Sequence, residues 1–134
     1  MRLINEKTGQ TIELPYDLYP IDDLNWSAVV SKTDYTLTGA LDVQQGTRKA
    51  GKPLTLQSQD DMGVITRQVV NELHEWANLI ETTFIMEYEA DGQTKKVSVM
   101  FDHSQTPIEA TPLKEFNSPN LDDYFRVVLK FFTV

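Results

Sequence analysis

The sequence contains no cysteine. Disulfides, thiolate metal sites and a cysteine nucleophile are thereby excluded. Histidine is scarce as well: His74 and His103 stand far apart, and neither belongs to an H-E-x-x-H pattern, so no metal centre is expected. Long hydrophobic runs are missing. Nothing approaches the roughly 20 apolar residues needed to span a bilayer, and the opening MRLINEKTGQTIELP lacks the apolar block of a secretory signal. A cytoplasmic chain with no membrane partner is the expectation. Basic charge is also in short supply, with 12 Lys and Arg against 20 Asp and Glu and a net charge of −8. Phosphates repel such a chain, which excludes nucleic-acid binding across its whole face. The acid excess reads either as plain solubility or as a wall past which DNA slides without sticking.

What remains is an ordinary globular composition, 40% hydrophobic over 134 residues, enough for one domain, 1–134, with a real core. One stretch carries a long helical period. From Asp60 to Glu81, and best over about 62–80, Ile65, Val69, Leu73, Trp76, Ala77 and Ile80 recur at steps of three and four. Asp60 or Asp61 is the expected cap. The rest reads as strands. Arg2–Asn5 and Gln10–Leu14 form a hairpin about Gly9, followed by a loop over Pro15–Asn25, and residues 1–25 are a candidate assembly arm. Trp26–Thr33 and Asp34–Val43 are the next two strands. In the second, Tyr35, Leu37, Gly39, Leu41 and Val43 alternate with polar residues and are expected on a buried face. Gly39 in mid-strand suggests a bulge or a close neighbour. Strands are expected at Pro53–Gln57, Thr83–Glu89, Lys95–Phe101 and Pro107–Leu113, with a turn at Asp91-Gly92 and a loop over Lys114–Asp122. Tyr124–Val134 closes the chain with Phe125, Val127, Leu129 and Phe131 inward. Strand and helix do not alternate, so a parallel doubly wound sheet is unexpected. The reading is mostly β (α+β): an antiparallel β-sandwich or partly open barrel of about eight strands with one flanking α-helix.

Chemistry-bearing motifs are weak. Gly46 to Lys52 has the G-x-x-x-x-G-K spacing of a phosphate loop, but Pro53 stands where a hydroxyl should hold magnesium, and a strand is expected where a helix should follow. Asp102-His103-Ser104 is adjacent in sequence, which says nothing about a triad in space. The pairs Asp60-Asp61 and Asp122-Asp123 fit capping and turns better than acid–base work. No catalytic residue, cofactor or small-molecule substrate is therefore expected, and the chain reads as a non-enzyme.

Contact residues stand out more. Arg48, Lys49 and Lys52 lie in the polar loop Gln44–Lys52 and supply a quarter of the twelve basic residues. They read as a solvated loop tip or as a prong that docks on the acidic surface of a neighbouring copy. Tyr16 and Tyr19 read as interface side chains or as local packing under a loop.

One long run resembles a known family. Tyr35-Thr36-Leu37, Gly39, Leu41, Val43, Gly46 and Arg48, then Ala50 to Leu56 (AGKPLTL), with Arg67 entering the helix and the amphipathic finish Tyr124–Val134, resemble small tail proteins of long-tailed bacteriophages and prophages. The resemblance covers roughly residues 30–134. It implies a virion structural protein, built in the host cytoplasm, that forms or joins a sixfold ring at the tail tip around the DNA channel. The partners it implies are further copies and other tail proteins, with DNA passing without specific binding. Rival expectations are a tail tube or head–tail connector subunit, and a small carbohydrate- or ligand-binding β-sandwich that uses Trp26 and the tyrosines as platforms.

Overall fold

The computed structural model describes residues 1–22, 24–60, 62–114 and 119–134. Eleven strands and one helix are formed among them: β1 (Arg2–Asn5), β2 (Thr11–Glu13), β3 (Tyr19–Pro20), β4 (Val29–Tyr35), β5 (Leu41–Thr47), β6 (Pro53–Gln57), β7 (Ile65–Thr66), α1 (Arg67–Ala77), β8 (Phe84–Ala90), β9 (Gln93–Phe101), β10 (Ile108–Pro112) and β11 (Tyr124–Thr133). Nine strands make one antiparallel sheet, with the order β2-β1-β8-β9-β11-β6-β3 and with β7 and β10 also on β11. β4 and β5 form a separate two-stranded sheet. The architecture is that of a β-sandwich with one helix. No described helix is long and apolar enough to cross a membrane.

The sheet cannot be flat. Its end strands β2 and β3 are consecutive in sequence. Seven strands side by side would be roughly 29 Å wide at about 4.8 Å per step, while the chain from Glu13 to Tyr19 reaches at most about 21 Å. The sheet therefore curls and encloses the core. The N-terminal residues are woven into this body rather than standing off it. β1 pairs with both β2 and β8, and Leu3, Ile12, Leu14 and Leu18 are all buried.

β11 is the strand on which the body converges. On one side it pairs with β10 through Phe125–Leu129 and then with β9 through Phe131–Thr133. On the other it pairs with β7 through Tyr124–Phe125 and with β6 through Val128–Phe132. Its period-2 pattern does what the alternation requires: Phe125, Val127, Leu129 and Phe131 are all buried. The β8–β9 turn also forms at Asp91-Gly92, both with positive φ, the twist that a two-residue hairpin needs.

The helix is shorter than its periodicity suggests and begins differently. Gln59 and Met62 exchange backbone hydrogen bonds of 3.0 and 2.7 Å, and Asp60 has φ of +48°, so the chain turns tightly where the first helical turn was expected. Asp61 lies outside the described residues. Thr66 is the N-cap but makes no side-chain cap bond. Backbone carbonyls satisfy the first-turn donors instead, with Arg67 N donating to Asp123 O (2.9 Å) and Gln68 N to Leu121 O (3.2 Å). α1 buries Val70, Leu73, Trp76 and Ala77, with Val69 partly buried against the core. Ile65 is buried in β7 instead. Ile80 falls beyond the helix and is 85% exposed, correcting its expected place on the buried stripe. Trp76 stacks on Phe84 (centroids 5.3 Å apart), and Phe84 meets Phe101 edge-on (5.5 Å), which in turn packs on Phe131 (4.7 Å). A file of aromatic rings thus ties the helix to β11.

Gly63 permits the entry to β7. Its φ is +73°, and a Cβ there would lie 3.2 Å from Asp17 O and 3.3 Å from Leu18 Cα. Both groups are backbone, so relief needs a shift of the chain itself by a few tenths of an ångström. Gly63→Ala is expected to lower unfolding free energy by about 1–3 kcal/mol. Leu129→Ala, at the centre of the core, should lower it by about 2–5 kcal/mol. Urea titration of each variant checks both, and an unchanged midpoint for Gly63→Ala would contradict the close approach.

Candidate functional site

Residues 34–43 do not form one strand with a buried face. They turn back on themselves. Thr36 N donates to Ala40 O (2.8 Å), Gly39 N to Thr36 O (3.0 Å) and Ala40 N to Thr36 Oγ1 (3.1 Å). Gly39 takes φ of +83° with no atom near its missing Cβ, so its role is the turn and not a bulge or a close neighbour. The signal was present in the sequence as a short Gly-containing segment between alternating runs. The result is a hairpin arm, β4 paired with β5 from Val29↔Thr47 to Tyr35↔Leu41. Each strand is roughly 23 Å long. Every residue of both strands is exposed, and the residues expected to be buried, Tyr35, Leu37, Leu41 and Val43, stand in solvent.

The two faces of the arm differ. Directly opposed residues share a face. One face carries the pairs Val29/Thr47, Ser31/Gln45, Thr33/Val43 and Tyr35/Leu41, with no charge on it. The other carries Val30/Gly46, Lys32/Gln44 and Asp34/Asp42. Lys32 and Asp34 form an exposed ion pair at 3.7 Å, which adds little. Leu37 crowns the tip and is fully exposed. A lone two-stranded hairpin is marginally stable in water at best. Four of the eight residues on the uncharged face are apolar, Val29, Tyr35, Leu41 and Val43, and all four are exposed.

The arm is rooted in β11. Gly51 N donates to Thr133 O (2.9 Å), Lys52 N to Thr133 Oγ1 (3.0 Å), and Thr133 N to Lys52 O (2.8 Å). Arg48 N donates to Ala28 O (2.6 Å), continuing the arm's ladder, and its guanidinium lies 5.9 Å from the centre of the Trp26 ring. Arg48 and Lys49 are exposed at this root and Lys52 is half-buried, so the basic prong is the base of the arm and not its tip. The segment 26–52 has four basic residues (Lys32, Arg48, Lys49, Lys52) and two acidic ones (Asp34, Asp42). It is therefore +2, which leaves −10 for the rest of a −8 chain.

The two tyrosines do not join this site. Tyr19 pairs with Gln57, at the end of β6 farthest from the root, and is 52% exposed. Tyr16, 91% exposed, lines a shallow hollow with Arg2, Glu13 and Tyr88 at the β1–β2–β8 side of the sheet.

Other motifs resolve into local structure. Gly46 lies in β5 and Lys52 immediately precedes β6, so the phosphate-loop spacing runs from strand to strand with no helix after it. The Asp102 carboxylate accepts hydrogen bonds from the Ser104 hydroxyl and backbone N–H and from Gln105 Nε2. The Ser104 hydroxyl bond is the main reason that its pKa lies below the ordinary carboxylate value. His103 turns toward Phe101, with ring centres 6.4 Å apart. Among the described residues no cluster of three His, Asp or Glu side chains could hold a metal ion.

Comparison with protein families, with curated proteins and with solved structures returns no match.

The arm contributes no buried residue to the core. Replacing residues 31–45 by a two-residue turn should therefore leave the unfolding free energy within about 1 kcal/mol of the parent, because shortening a loop changes closure entropy only slowly. Chemical denaturation of the dilute protein checks this. A loss of several kcal/mol would mean that the arm supports the body.

Proposed function

We propose that the chain is a structural subunit that assembles with copies of itself into a ring, and that this ring belongs to the tail tip of a long-tailed bacteriophage or prophage. The observation that carries the assembly reading is the arm, two long strands with every residue exposed and one face free of charge. Such a face is covered when subunits meet, and the hairpin then gains the packing partner that it lacks alone. The family resemblance over residues 30–134 supports the tail assignment. The charge distribution fits it as well. With −10 on the body, a ring of these subunits around a channel repels DNA and lets it pass without binding. The basic root of the arm, Arg48 and Lys49, is then a cationic contact against the acidic body of a neighbour. The work of such a protein is geometric: the angle at which one copy meets the next sets the ring size.

Mass measurement in solution combined with negative-stain microscopy tests the proposal. Rings are expected as concentration rises, and the arm-shortened variant is expected to stay monomeric and folded. Arg48→Glu with Lys49→Glu should weaken assembly by at least tenfold in concentration, and more so at low salt, where charges are least screened. A parent protein that is monomeric at every concentration would count against the reading.

A further inference from the structure

We infer that the free edge of β4 pairs antiparallel with the same edge of a second copy, about a two-fold axis at Thr33, and so joins two arms into one four-stranded sheet. This rests on the reading of the chain as a self-assembling subunit and adds which edge of the arm meets which. Among the described residues β4 pairs with β5 and with no other strand. The ladder between them continues past both ends, with Thr36 N donating to Ala40 O and Arg48 N to Ala28 O. Hydrogen-bonded positions alternate along an antiparallel pair, so the even-numbered residues of β4 face β5. The backbone N–H and C=O groups of Ser31, Thr33 and Tyr35 therefore point out from the free edge. Val29, next in that row, already gives its N–H to Ser27 Oγ (3.2 Å).

The strand's charges select one register. An antiparallel partner must set its own outward-pointing residues opposite Ser31, Thr33 and Tyr35, so a second β4 can dock only in steps of two residues. One step puts Lys32 opposite Lys32, and another puts Asp34 opposite Asp34. Like charges directly opposed repel. The step between these two centres the axis on Thr33 and sets Lys32 of each copy opposite Asp34 of the other. Larger shifts shorten the overlap and carry Lys32 past Asp34. In the favoured register Thr33 meets Thr33 and Ser31 meets Tyr35 at hydrogen-bonded positions. The two Lys32–Asp34 pairs fall between them, where opposed Cα atoms lie about 4.5 Å apart and side chains come closest. The same register answers a defect inside the arm. Asp34 and Asp42 stand directly opposite each other, with Lys32 of the same chain 3.7 Å from Asp34. A second Lys32 arrives on the far flank of that carboxylate. Three or more strands are what a sheet with an apolar face needs to hold on its own, and the pairing turns two into four. A two-fold contact closes on itself, so it joins copies in pairs and, where subunits also close a ring, joins two rings.

Charge reversal with rescue tests the pairing, read by sedimentation velocity across a concentration series. The arm adds nothing buried to the core, so these variants leave the body folded. Lys32→Asp and Asp34→Lys should each weaken pairing by at least about tenfold in concentration, since each sets like charges opposite one another twice. A 1:1 mixture of the two should recover it, because one chain then carries both acids and the other both bases. The chain has no cysteine, which allows a second readout on a non-reducing gel. Oxidised Thr33→Cys should give a covalent dimer, its two Cα atoms being about 5.5 Å apart. Ser31→Cys should give none alone, with its copies about 13 Å apart along the strands, but should cross-link when mixed with Tyr35→Cys. A mixture that associates no better than the single variants, or single variants that associate as the parent does, would overturn this pairing and leave the proposed function standing. So would Ser31→Cys cross-linking as strongly as Thr33→Cys, which would mean another register. A parent that is monomeric at every concentration would sink both.

Discussion

The fold depends on β11 being paired along both edges while its inward face is filled. Four strands converge on it, two on each side. Phe125, Val127, Leu129 and Phe131 supply the floor against which the curled sheet and the aromatic file from Trp76 pack. Shifting this strand by one residue would turn all four side chains outward at once. That constraint reaches past the core. Thr133, at the end of the same strand, holds Gly51 and Lys52 and so sets where the arm leaves the body. A rigid centre and a projecting limb are two ends of one strand's pairing.

The arm is the place where local physics and isolated-chain stability disagree. An exposed sheet edge is a liability unless it is short, covered or broken by proline. The outer strands of the body meet that demand. β2 has three residues, β3 has two and contains Pro20, and β10 ends at Pro112. β4 and β5 do not. Each has seven residues and no proline, and their uncharged face carries Val29, Tyr35, Leu41 and Val43. Under the proposed function, such a hairpin is where copies of the chain meet. The charge division, basic at the arm's root and acidic elsewhere, supplies a direction for the encounter.

Much of the body was legible in the sequence because its strands obey simple periods. The alternation in Tyr124–Thr133, the Asp91-Gly92 turn and the Gly9 turn all form where their chemistry places them. The errors have definite causes. Alternation between Asp34 and Val43 shows which side chains share a face but not whether anything covers that face, so it does not distinguish an exposed Tyr35 and Leu37 from buried ones. Gly39 within that alternation suggests a bulge or a close neighbour, but Thr36 and Ala40 close a turn around it. The helical period ran past Ala77 to Ile80 because the apolar residues beyond the helix happen to fall in phase. Asp60 and Asp61 offer a local cap in the sequence, whereas carbonyls of the 121–123 segment, distant in sequence, satisfy the first turn. Arg48 and Lys49 stand out in the sequence as contact candidates, but their place at the root follows from the pairing of Gly51 and Lys52 with Thr133, which no local pattern reveals.

The central claim is that the arm is uncovered in the lone chain and covered in the assembled one. Amide hydrogen exchange measured across a concentration series tests it most directly. At dilution, the amides of residues 29–47 should exchange quickly while those of β11 stay protected. As concentration rises, the arm should gain protection in step with the mass of the particle, with β11 unchanged. Rapid exchange in the arm at every concentration, alongside growth of the particle, would contradict the account.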